Sequence, residues 1–337
     1  MGECVTVIGA GSWGTALAKM LALNGMQVVL HCYPPEIAEG ITRNLRNPLY
    51  FPEVELPSTV RATTDIAAAL QASLTAYLVV PSRYLRAFMT NDLEAWQAWG
   101  PGRAVLCNCT KGLLLNPTER TDAWLATLLP DVQLCHLAGP NFAKELVRGL
   151  PAATVVAGPE KAAQRIQAQL MSDYFRIYTG AELIGVEVAG FYKNIIAIAA
   201  GAASELGLGH NARASLVTRA LAEMGRLVAY FGGDPATLMG LAGIGDLMLT
   251  CSSELSRNFQ VGMRRARAQS LDTILSEMVE VAEGIQACEA VHRWPTEHGL
   301  SGWPELPIAE EVYLVVHEGA EPRESLMRLM RRPPKAE

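Results

Sequence analysis

A glycine-rich turn near the N-terminus is the first feature of this 337-residue sequence that could do chemistry. Residues 9–14 read GAGSWG, with an apolar run at 5–8 before them and a helical pattern at 15–23 after them. In this strand–turn–helix setting the GxGxxG spacing is typical of a pyrophosphate-binding loop. Gly9 permits the tight turn, Gly11 lets the backbone approach the phosphates, and Gly14 lets helix and strand pack closely. The sequence therefore predicts a dinucleotide site, with an ordinary glycine-rich turn as the alternative.

The segment after the second predicted strand, Gln27–His31, does not specify which dinucleotide is bound. Folds of this type that prefer NAD usually carry an acidic residue here for the ribose hydroxyls, and those that prefer NADP often carry an arginine. This chain has neither at positions 31–35; Glu36 comes late, and Arg43 and Arg46 come later still. We therefore expect NAD or NADP as the cofactor and leave the preference open.

Lys193 is the strongest candidate for acid–base chemistry, because it interrupts an apolar helical pattern at 188–206. An uncompensated ammonium is costly in such surroundings, so its pKa can fall toward neutrality. A group of this kind suits hydride delivery to a ketone, which builds negative charge on the carbonyl oxygen and requires a proton. The residue pattern alone leaves open the alternative of a lysine that extends its ammonium from a helix start to solvent.

Three further charged residues stand where they could contribute. Lys111 follows a predicted strand at 104–109, at the carboxyl edge of the sheet where open α/β folds bind ligands. Asp246 lies in a glycine-flanked apolar turn, where a carboxylate is costly unless a cation pairs with it. Arg257 carries a planar set of donors that can bind a phosphate from two sides. For Lys111 and Arg257 the alternative is a solvated surface charge.

The elements that must position these residues change in character along the chain. Short β-rich runs alternate with helical stretches in the first half, which favours a mostly parallel sheet covered on both faces. Predicted strands are 5–8, 27–31, 75–80, 104–109, 132–136, 153–157 and 175–178, with helices at 15–23, 65–71, 118–129 and 161–171. Beyond Gly185 helical periodicity dominates, and we predict helices at 188–206, 212–231, 271–278 and 287–298. We expect a dinucleotide-binding domain over 1–188, a helical substrate domain over 189–330 and a frayed tail over 331–337.

Composition excludes several classes of function. The formal charge is −6, from 28 basic and 34 acidic residues, whereas a nucleic-acid binder normally carries a basic excess. No apolar run reaches the roughly 18 residues of a membrane span without a charge. The seven cysteines are scattered and form no CxxC pair, which argues against a disulfide framework or a metal site. We expect a cytoplasmic protein with no nucleic-acid partner, no membrane insertion and no metal.

Several segments taken together resemble one family. From residue 9 to residue 284 the chain is similar to the NAD(P)-dependent glycerol-3-phosphate dehydrogenases of the bacterial type. The matching segments are GAGSWGTALA (9–18), VPS (80–82), TKG (110–112), GPNFAKE (139–145), KNIIAIAAG (193–201), GLAGIGDLMLTCSSELSRN (240–258) and VAEG (281–284).

This resemblance implies a Rossmann-type N-terminal domain followed by an all-helical C-terminal domain, in a protein that is usually a homodimer. It implies reversible reduction of dihydroxyacetone phosphate, a small phosphorylated substrate, to sn-glycerol 3-phosphate, which supplies glycerophospholipid synthesis. In the family, Lys193 is the proton donor in reduction and the acceptor in oxidation, with Asp246 beside it. We expect Lys111 to polarise the carbonyl or hold the substrate.

The same resemblance assigns ligand contacts residue by residue. The implied catalytic residues are Lys193, Lys111 and Asp246. The implied substrate-binding residues are Lys111, Gly139, Asn141, Lys193, Asn194, Asp246, Thr250, Ser256, Arg257 and Asn258. The implied cofactor-binding residues are Gly9, Gly11, Ser12, Trp13, Gly14, Lys111, Ala143, Arg257, Val281 and Glu283.

Three departures from the family pattern and two other functions remain to be weighed. Asn141 stands where many relatives have serine, Phe191 and Tyr192 are bulkier than the usual Ala-Leu, and His210 stands where aspartate is common. Another two-domain hydroxyacid dehydrogenase is one alternative, and it would have no need of a phosphate-binding Arg257. A catalytically silent dinucleotide-binding sensor is the other, and it would have no need of Lys193.

Overall fold

The structure is a computed structural model that describes residues 2–278, 280–299 and 301–334. The chain divides into two compact units. The first contains the residues up to Thr110 together with Arg120–Leu183, and the second contains Lys111–Glu119 together with the residues from Ile184 onward.

A mostly parallel sheet forms the centre of the first unit. The strands are β1 (Cys4–Ile8), β2 (Gln27–His31), β3 (Val60–Thr63), β4 (Thr75–Leu78), β5 (Val105–Asn108), β6 (Leu113–Leu114), β7 (Glu119–Arg120), β8 (Gln133–Ala138), β9 (Ala152–Ala157) and β10 (Phe175–Gly180). Within the described residues, eight of them form one sheet in the order β10-β9-β8-β5-β4-β1-β2-β3, and β6 pairs with β7 separately. Among the strand pairs of the large sheet that the structure describes, only β8–β9 is antiparallel. β1 lies between β2 and β4, and its residues from Val5 to Ile8 are buried, which confirms the predicted parallel core strand.

Helices connect these strands. They are α1 (Ser12–Leu23), α2 (Pro35–Asn44), α3 (Ile66–Gln71), α4 (Ser82–Asn91), α5 (Leu93–Gln97), α6 (Thr121–Leu128), α7 (Ala143–Leu146) and α8 (Glu160–Leu170). The seven predicted strands and four predicted helices of this region are present with small shifts at their ends. The sequence analysis did not predict β3, β6, β7, α2, α4, α5 or α7, and β7 lies where the start of the helix at 118–129 was predicted.

The second unit is helical, as predicted. Its helices are α9 (Leu183–Glu205), α10 (Gly209–Tyr230), α11 (Asp246–Cys251), α12 (Arg257–Ala266), α13 (Leu271–Glu277), α14 (Glu283–His298), α15 (Pro307–His317) and α16 (Pro322–Met330). A 3₁₀ turn at Pro235–Met239 and a π turn at Leu241–Gly245 precede α11. The predicted tail begins after α16, and its residues 335–337 lie outside the described residues.

Helix α9 is the central element of this unit. Among the described helices it alone is long and apolar enough to cross a membrane, yet 83% of its most apolar stretch is buried inside the fold, as in the core helix of a globular domain. Two glycines let the backbone of α12 lie in direct contact with the backbone of α9. A Cβ on Gly201 would lie 1.9 Å from the carbonyl oxygen of Phe259, and one on Gly262 would lie 1.9 Å from that of Ile198. This close contact fixes the start of α12 against α9.

The two structural units differ from the predicted ranges 1–188 and 189–330 in two respects. The second unit begins at Ile184 rather than at residue 189, and residues 111–119, which follow β5 in sequence, belong with the helical unit. Gln286 in α14 supports this placement, because its side-chain amide donates to the carbonyl oxygen of Leu113 at 2.6 Å. Lys111 therefore lies in the same unit as Lys193 and Asp246.

Candidate active site

The glycine turn of the first unit has the geometry that its sequence predicted. Gly9 has φ +108°, and a Cβ there would lie 2.6 Å from the carbonyl oxygen of Val79. A Cβ on Gly14 would lie 1.8 Å from the carbonyl oxygen of Gly9, so only glycine lets α1 start this close to the turn. A Cβ on Gly11 would meet no atom within 4 Å, and α1 begins with no side-chain cap. The turn is therefore closed toward the protein and open where a pyrophosphate would bind.

The buried polar atoms of this unit that have no hydrogen-bond partner include the indole Nε1 of Trp13 and the amide Oδ1 of Asn141. The Asn141 amide is oriented by Thr154, whose hydroxyl donates to Ala138 O at 2.8 Å and so accepts from Asn141 Nδ2 at 2.9 Å. Gly139 leaves room for the Thr154 hydroxyl in this position, because a Cβ on Gly139 would lie 2.6 Å from Thr154 Oγ1. A buried donor and a buried acceptor that the protein leaves unsatisfied are appropriate for a polar ligand. The residues of this unit therefore fit a dinucleotide.

The start of α1 is braced by residues far along the chain. Trp13 and Ala143 both pack against a small cluster of Ala16, Phe51 and Val147, which connects the first turn of α1 with α7. Ser12, the other predicted contact in this turn, is the first residue of α1.

Asn47 is a positioning residue that the sequence analysis missed. Its side chain is fully buried and donates to Ala10 O and Thr15 Oγ1, both at 2.8 Å. Its Oδ1 accepts from the backbone N–H groups of Leu49 and Tyr50. Asn47 thus joins the segment after α2 to the glycine turn. An Asn-Pro pair such as Asn47-Pro48 is typical of a turn, but no local pattern identifies the partners of its side chain.

In the second unit, Asp246 holds two lysines. Its Oδ1 lies 2.6 Å from Lys193 Nζ, and its Oδ2 lies 2.7 Å from Lys111 Nζ. Lys193 Nζ also donates to Thr250 Oγ1 at 2.8 Å. The side chains of Lys193 and Asp246 are 8% and 1% exposed, whereas that of Lys111 is 18% exposed. Asp246 therefore pairs with a lysine, as predicted, and it pairs with two of them rather than one.

The local backbone explains how Asp246 reaches this position. A Cβ on Gly243 would lie 2.1 Å from the carbonyl oxygen of Leu238, so the π turn can fold tightly only with glycine there. Asp246 then starts α11, and Thr250 follows one turn later on the same face. Turns of the π type are frequent at functional sites.

The electrostatics of this cluster give Lys193 an unusual proton affinity. Burial lowers the pKa of Lys193 to about 8, with the Asp246 carboxylate opposing this shift and the Lys111 ammonium adding to it. Burial alone would raise the pKa of Asp246, but the two ammonium groups hold it below its ordinary value. At neutral pH the Asp246 side chain is therefore a carboxylate. Lys193 beside it can release a proton and take one up again.

A chain of amides connects this cluster to neighbouring segments. Asn194 Nδ2 donates to Lys111 O at 3.0 Å, and Asn258 Nδ2 donates to Asn194 Oδ1 at 2.9 Å. Asn258 Oδ1 accepts from Gly284 N at 2.9 Å. A Cβ on Gly284 would lie 2.5 Å from the carbonyl oxygen of Asn194, so α14 starts in close contact with α9. Asn194 and Asn258 therefore hold these segments together, in addition to any contact they make with substrate.

The remaining predicted residues lie around the start of α12. Ser256 caps this helix by accepting from Phe259 N, and Arg257 is its first residue. The Arg257 side chain is 45% exposed, and its Nε lies 3.3 Å from a carboxylate oxygen of Glu280. Glu283 is the first residue of α14, and Val281 precedes it in the connecting loop.

The described residues contain no group of three or more His, Cys, Asp or Glu side chains that could hold a metal ion. All seven cysteines lie among them and are free thiols.

These features define a class of protein. The first unit has the fold and the open glycine turn of a dinucleotide-binding domain, and the second holds a buried lysine that can exchange a proton beside a carboxylate. Together they define a nicotinamide-dependent dehydrogenase.

The family follows from comparison with known proteins. Residues 4–164 match the family model for the N-terminus of NAD-dependent glycerol-3-phosphate dehydrogenase, and residues 182–327 match the model for its C-terminus. The chain belongs to the NAD-dependent glycerol-3-phosphate dehydrogenase family.

Similar proteins span the whole chain. Glycerol-3-phosphate dehydrogenase [NAD(P)+] of Geobacter metallireducens is 41% identical over 341 residues, which cover 100% of this chain and 99% of that protein. The protein of the same name from Streptomyces griseus is 42% identical over 334 residues, which cover 98% and 97%. The crystal structure of glycerol-3-phosphate dehydrogenase from Coxiella burnetii is 33% identical with a TM-score of 0.91, covering 98% of this chain and 99% of that one.

Proposed function

We propose that this chain reduces dihydroxyacetone phosphate to sn-glycerol 3-phosphate with NADH or NADPH, and catalyses the reverse oxidation. The observation that carries the proposal is the buried cluster in which Asp246 holds Lys193 and Lys111. Family membership and the names of the similar proteins support the same reaction.

The nicotinamide cofactor supplies the hydride in reduction and accepts it in oxidation. The glycine turn at 9–14 and the uncapped start of α1 would hold its pyrophosphate, because backbone N–H groups and a positive helix end attract anions. The unsatisfied Trp13 Nε1 and Asn141 Oδ1 would supply a further donor and acceptor.

Lys193 performs the proton transfer in this proposal. Its ammonium donates to the substrate oxygen in reduction, and its neutral amine accepts the hydroxyl proton in oxidation. Asp246 raises the pKa of Lys193 and so helps to keep it charged for donation, although burial favours the neutral amine. Lys111 adds a second positive charge that stabilises the developing negative charge on oxygen.

Arg257 is proposed to bind the substrate phosphate. It is the first residue of α12, a helix of ten residues whose N-terminus has a favourable dipole for anions. A guanidinium binds phosphate through two parallel hydrogen bonds, which a solvated lysine cannot do.

Arg257→Ala should raise the KM for dihydroxyacetone phosphate about 100-fold while changing kcat much less, because the lost contact is made equally in the ground and transition states. Steady-state kinetics measure both constants. Arg267→Ala is the matched control, since Arg267 lies at the other end of α12 and pairs with Glu205. An unchanged KM in Arg257→Ala would remove this assignment.

The reaction itself is tested by following nicotinamide absorbance with dihydroxyacetone phosphate and either NADH or NADPH. Unphosphorylated dihydroxyacetone is the control substrate. Phosphate-dependent oxidation of the cofactor would support the proposal. Equal rates with both ketones would favour another hydroxyacid dehydrogenase, and nucleotide binding without turnover would favour the silent sensor.

We also propose that the product supplies glycerophospholipid synthesis and that the enzyme acts as a cytoplasmic homodimer without a nucleic-acid partner or membrane insertion. Family membership supports the product's use, and the formal charge of −6 disfavours nucleic acid. Light scattering during size-exclusion chromatography measures the dimer directly, and a monomeric mass would contradict it.

A further inference from the structure

The segment that follows β2 begins beside the glycine turn. Gly9 N donates to His31 O at 3.1 Å, so the last residue of β2 and the first residue of the turn are hydrogen-bonded. In dinucleotide-binding folds, side chains at this end of β2 contact the adenosine ribose and distinguish a 2′-hydroxyl from a 2′-phosphate. Residues 32–36 of this chain therefore occupy the position that decides between NAD and NADP.

Tyr33 is the first side chain of this segment that is exposed to solvent, and Pro35 and Glu36 after it are exposed as well. It is 82% exposed, whereas Cys32 before it is 1% exposed. Pro34 and Pro35 follow, and α2 starts at Pro35 with Pro34 as its cap. The two prolines restrict the backbone, so the tyrosine ring is held at the surface next to the end of β2.

No cation lies in this segment to pair with a phosphate. His31 is buried and packs against Phe88 with ring centroids 5.5 Å apart. Burial also lowers the pKa of His31, which keeps the ring neutral at pH 7. The nearest charge in sequence is the carboxylate of Glu36, in the first turn of α2.

The two arginines further along each pair with an acidic residue at the surface. Arg43 lies in the last turn of α2 and pairs with Glu39 at 3.5 Å. Arg46 donates to Pro52 O and pairs with Glu55 at 3.5 Å. Arg43 also lines a shallow depression between α2 and the end of β3, which makes it the alternative candidate for a phosphate contact.

Resting on the proposed function, we infer that this chain selects NAD over NADP and that Tyr33 is the specificity-determining residue. A 2′-phosphate would add negative charge next to an uncharged ring and the Glu36 carboxylate, with no cation among residues 32–36 to compensate it. The ribose hydroxyls of NAD carry no charge, and the tyrosine offers them an apolar face and one hydroxyl.

The test is a direct binding titration of the full chain with NADH and with NADPH, followed by nicotinamide fluorescence without substrate. NADH should bind at least about tenfold more tightly, because an uncompensated phosphate beside a carboxylate is unfavourable. Tyr33→Arg should tighten NADPH about tenfold and change NADH little. The gain should shrink in high salt, because an exposed ion pair is screened.

Arg43→Ala and Arg46→Ala are the matched controls and should leave the ratio of the two dissociation constants unchanged. Equal affinity of the wild-type chain for both nucleotides would overturn the inference, as would a selective loss of NADPH affinity in either arginine variant. An unchanged ratio in Tyr33→Arg would overturn the role of Tyr33. Tight NADH binding without ketone reduction would instead contradict the proposed reaction, so the two failures are distinguishable.

Discussion

Replacing Lys193 by alanine should lower kcat about 10⁴-fold and change the dissociation constant for NADH less than about twofold. The large effect is expected because the lysine supplies both the transferred proton and a buried positive charge at the reacting oxygen. Asp246 keeps Lys111 as a partner in this variant, so no buried carboxylate is left alone. Stopped-flow kinetics and a nucleotide titration measure the two constants.

The pH dependence of the rate distinguishes proton transfer by Lys193 from stabilisation by its positive charge alone. With a Lys193 pKa of about 8, the rate of ketone reduction should fall as pH rises through 8, because the ammonium is the donor. The rate of oxidation should rise over the same range, because the neutral amine is the acceptor. Lys193→Arg keeps the positive charge, but a guanidinium does not titrate below a pH of about 12. This variant should lose the break near pH 8 in both directions.

Lys161→Ala provides the control for Lys193→Ala, since Lys161 is exposed on α8 and should be dispensable. Substantial turnover by Lys193→Ala with the wild-type pH profile would show that another group transfers the proton.

The features that could be predicted from sequence are those encoded by neighbouring residues. The glycine turn is specified by three glycines between a strand and a helix, and its geometry followed from the spacing. Lys193 was recognisable because a charge interrupts a long apolar helical pattern. A steric clash identifies the glycines, and a buried charge identifies Lys193. Both costs depend on residues that are near in sequence.

The features that could not be predicted depend on residues distant in sequence. Thr250 bonds to Lys193, 57 positions away, and Asn47 bonds to Ala10, 37 positions away. No local pattern reports such pairs. Lys111 was expected at the edge of the sheet, and its membership in the helical unit arises from tertiary contacts.

Local signals also misled the prediction of some elements. Strand β3 is four residues long and contains the exposed Arg61, so its apolar pattern is too short to recognise. Helix α2 starts at the second of two consecutive prolines, a pair that indicates a loop, although proline is well tolerated at the first position of a helix.

Replacing Asp246 by asparagine should also lower kcat strongly, because this one carboxylate balances two ammonium groups. Without it, burial and the repulsion from Lys111 would lower the pKa of Lys193 further below 8. Less of the lysine would then be protonated at neutral pH, so the break in the reduction profile should move to lower pH. We expect kcat for reduction to fall about 10³-fold. The free energy of unfolding should fall by about 3 kcal/mol, as when one partner of a buried ion pair is removed.

Glu223→Gln distinguishes this electrostatic role from a general loss of stability. Glu223 is also a buried carboxylate of the helical unit, where it accepts from Tyr192 Oη at 2.6 Å and from the backbone at the start of α15. Its replacement should destabilise the fold, measured by urea unfolding, without moving the pH break. If Asp246→Asn moved neither the break nor kcat, the carboxylate would have no part in setting the charge of Lys193. If the pH break moves in Asp246→Asn but not in Glu223→Gln, the protonation of Lys193 is controlled by Asp246.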